Sequence, residues 1–75
     1  DSERTSLLKL ALGMAITGYD YDPGKRKNDA TGSNRGSIAS DLERLGLELT
    51  SDTIRKYLKE AEQRLGNPRK DSPES

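Results

Sequence analysis

The chain has no cysteine, histidine, phenylalanine or tryptophan, and its only aromatic side chains are three tyrosines. Without cysteine and histidine, disulfides and the usual zinc ligand sets are excluded, and neither a serine–histidine relay nor a thiol nucleophile can be assembled. An enzyme acting alone is not expected, nor is a cofactor or a metal. Hydrophobic residues make up 29% of the 75 positions and charged residues 35%, so the chain can build one small domain with a modest core. No apolar run approaches the roughly 20 residues needed to cross a bilayer, and the N-terminus lacks the charged-then-apolar layout of a signal peptide. The expectation is a cytoplasmic domain with no membrane partner. A start at Asp1, without methionine, suggests a piece of a longer protein.

Basic and acidic residues balance at 13 each, but they are not evenly spread. From Lys25 to Lys59 there are eight basic residues (Lys25, Arg26, Lys27, Arg35, Arg44, Arg55, Lys56, Lys59) against five acidic ones (Asp29, Asp41, Glu43, Glu48, Asp52). The middle of the chain is locally positive and the ends carry the compensating acid, which suits a weak phosphate-binding face.

Three helices are expected. From Glu3 to Thr17, Leu7, Leu8, Ala11, Met14 and Ala15 recur at helical spacing, and Leu12 and Ile16 widen the stripe until most of the circumference should be buried. Asp1 or Ser2 caps this helix and Gly18 ends it. A second, short helix begins at the cap Ser37, carries Ile38, Leu42 and Leu45, and stops at Gly46. Leu47 and Leu49 should plug the turn. Thr50 or Ser51 caps the third helix, in which Ile54, Leu58, Ala61 and Leu65 define the inward face, and the opposite side centres on Lys56 and Gln63.

Residues 18–36 hold four glycines, one proline and almost no aliphatic side chains. That composition predicts a long loop, pinned at its start by Tyr19 and Tyr21 and mobile from Gly24 to Gly36. Residues 66–75 contain two prolines and no apolar anchor, and predict a disordered tail. The expected architecture is all-α: a three-helix domain over residues 1–65 followed by that tail. Its expected core is Leu7, Leu8, Ala11, Leu12, Ala15, Ile38, Leu42, Leu45, Leu47, Leu49, Ile54, Leu58 and Ala61.

Ile38-Ala39, Asp41-Leu42, Gly46-Leu47, Leu49-Thr50 and Asp52-Thr53-Ile54-Arg55-Lys56-Tyr57-Leu58 resemble the helix-turn-helix core of bacterial repressors and of transposase or recombinase N-terminal domains. The resemblance spans about residues 37–61. Its turn is similar in length to that of arginine-repressor-type winged helices, but residues 66–75 hold no counterpart of the wing. The resemblance implies binding to double-stranded DNA, with residues 51–65 as the recognition helix. Ser51, Asp52 and Thr53 would then lie near the groove floor or a phosphate. Arg55 and Lys56 would meet guanine edges or backbone, Lys59 a phosphate, and Lys25, Arg26, Lys27 and Arg35 the backbone from the loop.

The competing account of Arg55, Lys56 and Lys59 is a solvated helix face tied to Asp52, Glu60 or Glu62. A second function class stands beside DNA binding: if helix one is too apolar for two short helices to cover, part of it must meet a second copy or another domain of the parent chain. Two further motifs fail on inspection. Asp20-Tyr-Asp22 opens like a calcium loop, yet Lys25 stands where the turn glycine belongs and Thr31 where the bidentate glutamate belongs. Gly18 to Lys25 has the glycine spacing of a phosphate loop one residue too long, with Arg26 in place of the hydroxyl residue.

Overall fold

In the computed structural model, which describes residues 2–69, the chain forms α1 (Ser2–Tyr19), α2 (Ile38–Arg44) and α3 (Ser51–Leu65), with a single 3-10 turn at Asp29–Thr31 between α1 and α2. No strand occurs among the described residues, and no helix there is long and apolar enough to cross a membrane. Asp1 and residues 70–75 lie outside the described residues, and with them one proposed cap and most of the expected tail.

Local chemistry sets the ends of the second and third helices. Ser37 is extended and its hydroxyl accepts from the Ser40 amide, while Thr50 does the same for the Thr53 amide. Each satisfies a backbone donor that the first helical turn leaves open. Gly46, at φ 78°, reverses the chain after α2, and the Leu47 amide returns to the Leu42 carbonyl at 2.9 Å. The end of α1 departs from expectation: Gly18 continues the helix through Tyr19, and Asp20 takes the left-handed conformation at φ 56° that stops it. A short polar side chain tolerates that backbone better than most.

The core lies between α1 and α3 and is closed by the loop. Leu8, Leu12 and Ala15 from α1 meet Ile54, Leu58 and Ala61 from α3, and Tyr21 and Ala30 complete the buried cluster. Four expected core residues are corrected: Leu7, Leu45, Leu47 and Leu49 are exposed, as are Leu10 and Met14. The expectation that most of α1 is covered fails with them. The cause is geometric: α2 has seven residues and none fully buried, and the side of α1 that it leaves uncovered stays open.

That loop is built rather than mobile. The Asn28 side chain accepts from the Asp22 amide at 2.8 Å and donates to the Asp22 carbonyl at 3.1 Å, which staples residues 22 and 28 together. Beyond the staple, Ala30 and Thr31 are buried. Tyr19 and Tyr21 pin the start of the segment, donating to Asp41 at 2.8 Å and to Glu62 at 2.9 Å. The first residues after α3 are also tied down, because Arg69 donates to Asp20 at 2.9 Å and to the Tyr21 carbonyl at 3.3 Å.

Candidate nucleic-acid interface

Four sides of α3 have different occupants, and together they decide which of its side chains face outward. The inward side is Ile54, Leu58 and Ala61, with Leu65 packed against the same cluster. One flank is lined by the loop, through three ties: Tyr21 to Glu62, the Arg55 guanidinium to the Thr31 carbonyl at 2.9 Å, and the Ser51 hydroxyl to the Gly32 carbonyl at 3.0 Å. The other flank meets the start of α1. There Glu60 pairs with both Arg4 (2.6 Å) and Arg64 (3.1 Å), and Arg4 also lies over the Tyr57 ring, 5.5 Å from its centroid. What remains is a solvent stripe of Asp52, Lys56, Lys59 and Gln63, spaced four, three and four residues apart.

The sequence-predicted contacts divide on this geometry. Ser51, Thr53 and Arg55 spend their hydrogen-bonding groups internally: Ser51 on Gly32, Thr53 on the Thr50 cap, and Arg55 on Thr31 and on an ion pair with Asp52. In this structure the two terminal guanidinium nitrogens of Arg55, expected at guanine edges or backbone, hold the loop and the first turn of α3. Lys56 lies with its ammonium 5.5 Å from the Tyr57 ring centroid. Lys59 is exposed and makes no ion pair among the described residues.

Lys25, Arg26 and Lys27 occupy the tip of the Asp22–Asn28 staple, all exposed. The tip has defined shape, because the Asp22 carboxylate accepts from the Gly24 amide at 2.9 Å and the Lys25 amide returns to the Asp22 carbonyl at 3.0 Å. Asp22 thus heads a hydrogen-bonded turn. Among the described residues no group of three or more metal-ligating side chains is gathered. Lys25 shares a surface depression with Asn67 and Arg69, just past the C-terminal end of α3. The loop then runs back along α3 to Gly32 beside Ser51, and Arg35 follows, also exposed. On the helical wheel the loop-lined flank adjoins the side bearing Lys59.

Electrostatics sharpen this face. Asp20, Asp41 and Glu60 are all held below the usual carboxylate range, by hydrogen bonds from Arg69, from Tyr19 and Arg44, and from Arg4 respectively. With Asp52 on Arg55, four carboxylates are taken up in neutralising arginines. Lys25, Arg26, Lys27, Arg35 and Lys59 are left without an ion pair among the described residues, while Asp20, whose charge Lys25 favours, and Asp29 are exposed acids on the same loop.

A second feature is an apolar groove of about 550 Å³ between α1, α2 and the turn before α3, on the first helix that the sequence marked as too apolar for two short helices to cover. Leu7, Met14, Leu49 and Tyr57 line it and are exposed, over a floor that includes Ile38 and Leu42. The excess of leucine in the first helix was its only signal. Comparison of the chain with protein-family models, with curated proteins and with solved structures returned no match.

Proposed function

We propose that this domain binds double-stranded DNA through a phosphate-contacting face made by the loop and the outward stripe of α3. Lys25, Arg26, Lys27 and Arg35 act from the loop and Lys56 and Lys59 from the helix. The observation that carries the reading is the packing of a stapled basic loop along the flank of α3 that adjoins Lys59. A 15-residue helix is about 22 Å long, and duplex DNA carries one charge per roughly 1.7 Å of axis, so such a face meets several phosphates at once. The likeness of residues 37–61 to bacterial regulators supports the same reading and, with it, a cytoplasmic setting.

Affinity in this arrangement comes mainly from counterion release, and sequence preference is small because Arg55, Ser51 and Thr53 are engaged within the fold. Fluorescence anisotropy with a labelled mixed-sequence duplex tests it over a salt series. Replacing Lys56 and Lys59 with alanine is expected to weaken binding at low salt and to reduce the salt slope by about two. Replacing Lys25, Arg26 and Lys27 should act in the same direction. Unchanged affinity in both variants would refute the assignment of this face.

A further inference from the structure

We propose that Asn28 is a positioning residue of the DNA-binding face: its side chain fixes the shape of the tip that carries Lys25, Arg26 and Lys27 before any duplex arrives. The inference rests on the reading of that loop as a phosphate-contacting element and deepens it. Between Asp22 and Asn28 the only uncharged residues are Pro23 and Gly24, and three consecutive cations repel one another. Packing of large apolar side chains therefore cannot order the tip, and its own charges work against order.

Hydrogen bonds at the neck supply it. The Asn28 side chain accepts from the Asp22 amide at 2.8 Å and donates to the Asp22 carbonyl at 3.1 Å, so one amide side chain closes the neck as a paired strand residue would. Inside the neck, the Asp22 carboxylate accepts from the Gly24 amide at 2.9 Å and the Asp22 carbonyl from the Lys25 amide at 3.0 Å. Pro23 holds φ at the second position of that turn. Outside the neck, the Asn28 carbonyl accepts from the Thr31 amide at 3.2 Å and from its hydroxyl at 3.3 Å. Thr31 is buried, and its carbonyl accepts from Arg55 at 2.9 Å. A continuous run of bonds thus leads from α3 through Asn28 to the three cations. A tip left free would lose its backbone freedom on meeting phosphates, and that loss would be subtracted from affinity. Here it is met when the chain folds. Asn28 bears no charge, so it acts on affinity without changing how many phosphates the face meets.

Two measurements test the role. In the free chain, backbone amide relaxation should give Gly24 to Lys27 order parameters of about 0.85, as in α3, and values below about 0.6 would overturn the proposal without any variant. The second is anisotropy with the mixed-sequence duplex over a salt series. Asn28→Ala should bind about tenfold more weakly at every salt concentration with an unchanged salt slope, whereas replacing Lys25, Arg26 and Lys27 with alanine flattens the slope. Added to that triple replacement, Asn28→Ala should have no further effect. Tyr21→Phe, which loosens the same loop away from the tip, controls for lost stability and should bind as the parent chain does. Parent-like binding by Asn28→Ala, an equal loss with and without the three cations, or an equal loss in Tyr21→Phe would each overturn the proposal while leaving the loop's phosphate contacts in place. A parent chain that does not bind duplex at low salt refutes the face itself, and the positioning role falls with it.

Discussion

Tyr21 does two jobs that depend on each other: its ring closes the core, and its hydroxyl ties the loop to Glu62 on α3. Burial and that hydrogen bond both hold its ionisation well above the ordinary tyrosine value. Removing the hydroxyl in Tyr21→Phe should cost about 1 kcal/mol, and Tyr21→Ala about 3 kcal/mol, read as a lowered midpoint in urea unfolding. The carboxylates set the acid limit. Asp20, Asp41 and Glu60 titrate lower in the folded chain than their ordinary values of 3.8 and 4.5, so the unfolded chain takes up protons first as pH falls. Their stabilising contribution is full above that range and is lost as pH drops through the folded values. Thermal melts from pH 7 to pH 2 should show this fall, and Glu60→Gln should both lower the melting temperature at neutral pH and flatten the acid limb.

At the scale of elements, the loop is held to α3 chiefly by Arg55, which faces both Thr31 and Asp52. Arg55→Met should cost about 1 kcal/mol and speed hydrogen exchange at the Thr31 and Gly32 amides, which bond back to Asn28 and Asp29. Duplex affinity should fall less in that variant than when Lys56 and Lys59 are replaced. The helices were legible in the sequence because their signals are local: Ser37 and Thr50 cap within three residues, and Ile54, Leu58, Ala61 and Leu65 repeat at helical spacing. The loop was not. Its order depends on one Asn28 side chain folding back on Asp22 and on Ala30 reaching a core built from two distant helices, and neither has a periodicity to read. Leu45, Leu47 and Leu49, which composition alone would bury, stay exposed beside a short α2. The basic stripe could be read from α3 alone, whereas the internal duties of Ser51 and Arg55 required the path of the loop.

Taken as a whole, the molecule separates two surfaces on opposite flanks of one helix. On the Tyr57 flank lies the apolar groove, lined by the uncovered side of α1. On the other flank lies the basic loop, next to the side bearing Lys59, while Lys56 on the solvent stripe has its ammonium near the Tyr57 ring. A net charge of zero hides this division, because it sums over the basic loop and the acids elsewhere in the chain alike. The most direct test of the account is to follow backbone amide NMR shifts of the labelled domain during titration with a mixed-sequence duplex, at low salt and again at higher salt. Shifts at Lys25–Lys27, Arg35, Lys56 and Lys59 that fade as salt rises, with Leu7 to Met14 unmoved, are the predicted result. The absence of shifts at low salt, or shifts confined to the apolar groove, would contradict it.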